Sequence, residues 1–502
     1  MTMSKVKNRW PLSPATVRAV LSGHGILGLA FAAVIYLVCL SGTLTVFVHD
    51  LERWEQPATP VVSRIDDTAM MRALDTARAQ VPMGTTLYAS LPSADEPGAG
   101  ITAYSPKFER EWSIDAQGAL LEKATAFSEF VLNLHIALHL PRNWGEFIVG
   151  LAGVALLSSL VSGILAHPRV LKDAFHLRRG GSRRLQEADL HNRLGIWALP
   201  FHVVIALTGA LLGLSTLIVG VLAMLLYRGD TAKVYGLFID APPAVNASPA
   251  LLPPLAALLA EARRRAPGAA PHQLIIENAG RADARITVTS ERLRLLVPQD
   301  TTSFDAAGRV LKDRHPRDLA AGTKILGGVG QLHFGWYGGL PVRIIYGLLG
   351  LALCVLTSSG VTIWLSRRRD RGRAVPQWER LWASVAWGQP LAFALAALVT
   401  IAVPTGGAAL WTWLVATVVL LSGSGALRFP ATAIAHGLRL ALAVAMITLG
   451  ACHLTAYFVT PASLGVDILL LIGGSVIFLS GKYSRASAIV AKRVGQRAIV
   501  SK

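Results

Sequence analysis

Apolar positions in this chain do not mainly alternate with polar ones; they gather into largely uncharged runs. The runs are Gly25–Val48, Phe147–Ala166, Gly195–Leu226, Arg343–Leu365, Val385–Val403, Ala409–Ala426, Ala433–Phe458 and Leu464–Ser480. At roughly 1.5 Å per helical residue, stretches of this length cross about 30 Å of hydrocarbon. Eight membrane helices are predicted. Two intervening segments, Leu51–Ser128 and Gly229–Gly330, lack such runs and show strand and turn signals instead. Strand candidates are Gly100–Tyr104, Glu111–Ile114, Arg285–Thr289 and Leu293–Val297, and Asp115-Ala116-Gln117-Gly118 has the chemistry of a hairpin turn. Both segments are expected to be small α+β domains outside the bilayer.

Composition agrees with a membrane chain: 53% of the 502 residues are hydrophobic, 16% are charged, and the mean hydropathy is +0.48. A net charge of +18 raises the question of a polyanionic partner. The basic residues answer it by their placement, since Arg367, Arg368, Arg369, Arg371 and Arg373 lie between apolar runs. Such clusters hold loops on the cytoplasmic side, so they report topology and not nucleic-acid binding. The N-terminus with Lys5, Lys7, Arg9 and Arg18, the Lys172–Arg184 stretch, Arg428 and the tail with Lys482, Arg485, Lys492 and Arg493 then share the cytoplasmic face. Both domains fall on the other side, the periplasm of a bacterial inner membrane. The first run is too long for a secretory h-region and reads as an uncleaved helix. Cys39, Cys354 and Cys452 all lie in apolar runs, which suggests neither a disulfide framework nor a thiolate metal site.

The expected organisation is an N-terminus and first helix over residues 1–50, a first domain over 51–128, and a histidine segment with the second helix over 129–170. A basic loop over 171–190 leads to the third helix over 191–228, a second domain over 229–330, and a histidine segment with the fourth helix over 331–366. A basic loop over 367–384, four helices over 385–480 and a basic tail over 481–502 complete it.

An internal repeat underlies this plan. His24-Gly25-Ile26-Leu27-Gly28 leads to Ser41-Gly42, and His191-Asn192-Arg193-Leu194-Gly195 leads to Thr208-Gly209; both histidines precede the glycine by 18 residues (42 − 24 and 209 − 191). Ser113–Leu121 matches Ser303–Leu311. His135 precedes Gly150 and Gly163, and His333 precedes Gly347 and Gly360, each glycine pair 13 apart. Two copies of helix, domain, helix are therefore expected to form a four-helix bundle, followed by four further helices.

Histidines in membrane helices are costly unless paired, and four of these recur in register. His24 and His191 are expected at one depth, and His135 and His333 at another. Two neutral imidazoles from facing helices, with glycines to admit a macrocycle, are the ligand set of a low-spin haem. Zinc wants three or four ligands and carboxylate-bridged iron wants acidic residues, which these apolar helices scarcely offer. Two haem b groups at two depths would conduct electrons. His139, four residues after His135, is a rival ligand or a partner on the same face, and His202, 11 after His191, is another rival. His436 and His453 have no repeat partner and are read as structural; His49 and His167 are read as interfacial, and His176, His272 and His315 as solvated.

The residues resemble the PepSY-associated transmembrane helix family, which includes iron-regulated inner-membrane proteins and haem-containing ferric-siderophore reductases. The likeness spans roughly residues 14 to 370. Its carriers are His24-Gly25-Ile26-Leu27-Gly28, Leu134-His135-Ile136-Ala137-Leu138-His139-Leu140-Pro141, Asp189-Leu190-His191-Asn192, Leu199-Pro200-Phe201-His202 and Leu332-His333-Phe334-Gly335, with Gly360 and Trp364. The resemblance implies PepSY-like domains and electron transfer through two membrane haems to periplasmic ferric siderophore, releasing ferrous iron. It implies His24, His135, His191 and His333 as ligands, with His139 and His202 also matching family positions. Reduction loosens iron because hard oxygen ligands favour the more highly charged ion. No dinucleotide motif or phosphate loop is present, so an external electron donor, cytoplasmic or within the membrane, is expected. A permease for siderophore, haem or metal would also suit parallel repeats with buried polar residues.

Overall fold

The computed structural model describes residues 12–93, 98–166, 183–237, 244–292, 296, 299–426, 428–457 and 460–500. The chain divides into two compact units: one of residues 1–55, 125–214 and 345–502, the other of 56–124 and 215–344. The first is helical and the second carries the sheet.

In the helical unit, α1 (Pro14–Ala30) and α2 (Ala32–Thr45) meet at an angle of 64°. Ser13 starts α1, its hydroxyl accepting from the Thr16 amide at 3.1 Å, with Pro14 in the first turn where its missing N–H costs nothing. Short α3 (Val48–Glu55) follows, then α5 (Ala126–Ala137) and α6 (Arg142–Ala166). The next pair, α7 (Arg183–Trp197) and α8 (Leu199–Gly213), is bent by 71°, with Pro200 at the start of α8. Proline cannot donate to the preceding turn, which explains a break there. Both breaks fall seven residues after a histidine (31 − 24 and 198 − 191). The run read from sequence as one span over Gly195–Leu226 is therefore interrupted, at Ala198 and again at Leu214. The long helix α13 (Gly339–Asp370) ends in this unit, and α14 (Pro376–Ala402), α15 (Gly406–Ala426), α16 (Ala431–Ala456) and α17 (Pro461–Val500) complete it. Six helices are long and apolar enough to cross a membrane, or eight if each bent pair is one span. This is a multi-pass membrane protein.

Small residues set the helix crossings. A Cβ on Gly150 would lie 2.9 Å from the Gly213 carbonyl carbon, so α6 and α8 meet backbone to backbone, and Gly350 of α13 likewise admits Thr43 of α2. The last four helices pack on the rest through specific polar and aromatic contacts. Tyr36 donates to the Ala386 carbonyl at 2.6 Å, and Phe130 of α5 meets Phe393 and Trp413 edge-on or tilted, each at 6.0 Å. Trp54 of α3 donates to Asp467 at 2.8 Å and stacks on His453 at 4.5 Å.

The second unit contains α4 (Asp67–Ala79), α9 (Ser215–Tyr227), α10 (Thr231–Tyr235), α11 (Leu255–Arg265), α12 (Ala321–Phe334) and an eight-stranded antiparallel sheet. Its strands are β1 (Thr86–Ser90), β2 (Ala99–Ser105), β3 (Phe108–Ile114), β4 (Leu120–Glu122), β5 (Ala270–Glu277), β6 (Arg285–Glu291), β7 (Asp300–Asp305) and β8 (Val310–Arg314). The order is β4-β3-β2-β1-β5-β6-β7-β8, so the two segments read from sequence share one sheet, joined where Leu87 pairs with Ile276. Alternate residues Leu87, Ile101, Trp112, Leu274, Ile286, Val288 and Phe304 bury one face against Met70 and Leu74 of α4 and Leu255 and Leu259 of α11. The strand candidates Gly100–Tyr104, Glu111–Ile114 and Arg285–Thr289 lie within β2, β3 and β6; the candidate Leu293–Val297 lies mostly outside the described residues. The two matching turns are alike. Asp115 accepts from the amides of Gln117 and Ala119 at 2.9 and 2.8 Å, and Asp305 from those of Ala307 and Arg309 at 3.0 and 2.9 Å. Gly118 and Gly308 take positive φ, and at Gly118 a side chain would also strike the Ala69 carbonyl.

His315, read as solvated, is instead a mostly buried member of an ionic cluster. Its Nδ1 lies 2.7 Å from Asp300 and its Nε2 3.2 Å from Asp313, while Arg292 donates to Asp300 at 2.6 and 3.2 Å. Burial pushes the Asp300 carboxyl upward, but Arg292 and His315 outweigh it and hold the group below its usual range. A depressed folded-state value adds stability above the unfolded carboxyl range near pH 4, which is lost as pH falls through the lower value. Asp300→Asn should remove that acid-side loss and cost about 1–3 kcal/mol near neutrality by leaving Arg292 with the Pro267 carbonyl but no carboxylate. Pulse proteolysis in urea between about pH 3 and 7 reads it; parallel pH dependence in parent and variant would refute the assignment.

Candidate functional site

The predicted ligands are distributed over both units. His24 on α1, His135 on α5, His191 on α7 and His202 on α8 lie in the helical unit, with His139 just beyond α5. His333 lies in the second unit, at the end of α12, where Gly335 adopts a left-handed cap.

Three of these imidazoles are held alike. His24 Nδ1 is 2.9 Å from the Ser159 carbonyl and 3.3 Å from the Ser162 hydroxyl. His191 Nδ1 is 3.0 Å from the Leu356 carbonyl and 3.0 Å from the Ser359 hydroxyl. His135 Nδ1 is 3.0 Å from the Val38 carbonyl. A carbonyl only accepts, so Nδ1 carries the proton in each neutral ring and the lone pair resides on Nε2. The ring edge then rests on a glycine. A Cβ at Gly163 would be 3.3 Å from His24 Cε1, one at Gly360 3.3 Å from His191 Cε1, and one at Gly42 2.6 Å from His135 Cε1. Each glycine follows a serine, and the accepting carbonyl lies four residues before the glycine. Metal-binding histidines are commonly fixed this way, with the far ring nitrogen donating to a carbonyl.

His24 and His191 share this arrangement in full, each Nδ1 meeting both a carbonyl and a serine hydroxyl. Among the described residues neither Nε2 has a hydrogen-bond partner. His202 is wholly buried, and among the described residues neither of its ring nitrogens has a hydrogen-bond partner. An orphaned imidazole in an apolar interior costs about 1–3 kcal/mol unless something ligates it. These features fit a haem. No group of three or more His, Cys, Asp or Glu that could hold a bare metal ion exists among the described residues, and a porphyrin brings four ligands of its own.

Two expectations about faces are corrected. Leu138 and His139 have φ of 52° and 53°, so the helix ends at Ala137 and His139 does not continue the His135 face. Its Nε2 bonds the Phe130 carbonyl at 2.9 Å and its ring stacks on Phe130 at 5.1 Å, a tie that closes α5 on itself. The bend between α7 and α8 likewise removes the common helical face assumed for His191 and His202. His49 lies 3.4 Å from Glu52 on α3, and His167 and His176 lie outside the described residues, as does most of the Lys172–Arg184 stretch.

Sequence reasoning missed Glu55. Thr125 provides no side-chain cap for α5; instead Glu55 accepts from the amides of Phe127 and Ser128 at 2.6 and 2.7 Å and from the Ser128 hydroxyl. An acidic group at a helix N-terminus also suits the dipole, so α3 fixes the helix that presents His135. A glutamate 72 residues from its partner leaves no local signal.

A 254-residue stretch is 32% identical to the uncharacterized protein PA4219 of Pseudomonas aeruginosa, covering 48% of this chain. The chain spans 64% of that relative's length. The family model described as the PepSY-associated TM region matches residues 21–367, from just before His24 to just past Trp364. That match includes every candidate ligand above and well over half of the residues, and this chain belongs to the PepSY-associated TM region family.

Proposed function

We propose that this protein is a haem b electron-transfer protein of the bacterial inner membrane that reduces periplasmic ferric siderophore and so releases ferrous iron. The observation that carries the reading is the recurrent imidazole seat, in which His24, His191 and His135 each direct Nδ1–H to a carbonyl beside a glycine. In this reading the two helix–domain–helix copies form a four-helix bundle and the sheet lies in the periplasm. His24 and His191 hold one haem. His135 and His333, which the sequence repeat pairs, are the first choice for a second, with His202 as the alternative and His139 already committed to Phe130. The siderophore as acceptor rests on the resemblance to haem-containing ferric-siderophore reductases.

Bound haem supplies a one-electron carrier whose potential depends on its axial ligands and their hydrogen bonds. The protein's own part is orientation. The Ser159 and Leu356 carbonyls fix the tautomer, Ser162 and Ser359 add a second contact to Nδ1, and Gly163 and Gly360 let the rings lie against the return helices. Carbonyl acceptance at Nδ1 makes Nε2 the more basic donor toward iron. An electron from an external cytoplasmic or membrane donor reduces ferric to ferrous iron, and no acid or base is required at the acceptor.

The test is a dithionite-reduced minus oxidised spectrum of the detergent-purified chain, with haem extracted and counted, followed by ferric-siderophore reduction in membrane vesicles. Sharp low-spin b-type bands and donor-dependent appearance of ferrous iron are expected. A featureless spectrum from intact, haem-supplemented protein would overturn the reading in favour of a permease.

A further inference from the structure

A fourth imidazole sits on a Ser-Gly step, outside the region that matches the family. His436, in the second turn of α16, is half-buried against Gly481 of α17, where an added Cβ would lie 3.6 Å from its Cε1 and 4.0 Å from its Nδ1. Ser480 precedes that glycine and donates to the Ile477 carbonyl at 2.8 Å. The three seats described above are built the same way: Ser162 donates to Ser159 at 3.1 Å, Ser359 to Leu356 at 2.9 Å, and Ser41 to Val38 at 3.1 Å. In each, the carbonyl that receives the serine hydroxyl also receives the histidine Nδ1–H. Ile477 holds the matching position, four residues before Gly481, and receives the Ser480 hydroxyl.

The surrounding hairpin follows the same pattern in compressed form. Gly437 follows His436 as Gly25 follows His24. Small residues bring α16 and α17 together along their length, with Gly474 against Ala443 and Ile447 and Gly450 against Asp467 and Leu471. His453 stands 17 residues after His436, where Ser41 follows His24 and Thr208 follows His191 at the same interval (453 − 436, 41 − 24, 208 − 191). It is not a second ligand, because its Nδ1 is bonded to Asp467 at 3.0 Å and its Nε2 to the Trp54 carbonyl at 2.7 Å. The hairpin thus offers one imidazole at one end and a hydrogen-bonded clamp at the other.

We propose that His436 is a ligand position for a third haem, bound by the α16–α17 hairpin. The inference rests on reading the other Ser-Gly seats as haem sites. A bare ion is the poorer occupant, since no group of three or more metal-ligating side chains exists among the described residues, whereas a haem needs as few as one protein ligand. With a single imidazole from the hairpin, this haem differs from a bis-histidine one in being high-spin and open to carbon monoxide when reduced.

The experiment counts haem per purified full-length chain and records reduced spectra with and without carbon monoxide, for the parent, His436→Leu, Gly481→Leu and His191→Ala. Three haems in the parent are expected. His436→Leu and Gly481→Leu should each lose one, together with the carbon-monoxide-sensitive band, and keep the low-spin bands in full; His191→Ala should lose one haem from the low-spin bands and keep the carbon-monoxide-sensitive band. Gly481→Leu tests the seat without touching the ligand, and unchanged elution and circular dichroism show that both variants fold. Two haems in the parent, or an unchanged count in both hairpin variants, overturns the third site while leaving the other two standing. No haem in the parent overturns the underlying reading itself.

Discussion

Replacing His191 by alanine should remove the haem that we propose it shares with His24, and with it most of the siderophore reduction measured in vesicles. The ring has one nitrogen fixed on Leu356 and Ser359 and the other without a partner among the described residues, so alanine deletes the only donor that this helix offers at the site. The Leu356 carbonyl keeps the Ser359 hydroxyl as a donor at 2.9 Å, so the loss falls on the haem site and not on an unsatisfied acceptor. His24→Ala should give the same spectral loss, and the double variant should lose no more haem than either single change. Such non-additivity is the signature of two residues acting on one centre. Additive losses in the double variant would place the two histidines on different centres.

The second large effect is expected at Gly42. A Cβ there would come within 2.6 Å of His135 Cε1, against 3.3 Å for Gly163 beside His24 and for Gly360 beside His191. His135 cannot simply swing away, because its Nδ1 is bound to the Val38 carbonyl one turn earlier on the same helix as Gly42. Gly42→Ala should therefore cost about 1–3 kcal/mol through overpacking and displace the ring. Gly163→Ala and Gly360→Ala call for shifts of only a few tenths of an ångström and should cost under about 1 kcal/mol. Thermal denaturation followed in the haem band orders the three. Equal effects would show that His135 is not pinned at its seat.

Much of this was legible along the chain because it is periodic. Long apolar runs locate the helices, and equal intervals from His24 to Gly42 and from His191 to Gly209 locate the histidines and their glycine steps. The rest depends on groups that leave no local trace. The acceptors at Ser159, Leu356 and Val38 are backbone carbonyls, identical at every residue, and only packing decides which of them faces a ring. The breaks at Phe31 and Ala198 lie inside continuous apolar sequence, which predicts one helix where two occur. The left-handed turn begins at Leu138, a residue type with no preference for it, and takes His139 off the expected face. At His436 the doublets His436-Gly437 and Ser480-Gly481 carry the signal, but no domain separates the two helices, so the hairpin lacks the spacing that marks the other repeats.

The joined sheet bears on how the molecule is made. Its central contact pairs Leu87 with Ile276, 189 residues later (276 − 87), and several helices of the other unit lie between them in the chain. When the first four strands emerge during synthesis, β1 is therefore an unprotected edge, and it stays so until β5 has been made. At a synthesis rate of about 5–20 residues per second the wait is on the order of ten to forty seconds. An exposed edge strand recruits any strand it meets, including one from a neighbouring nascent chain. Assembly of this protein should accordingly depend on a holding chaperone on the sheet side of the membrane, and overproduction should fail first by pairing of β1 edges between chains.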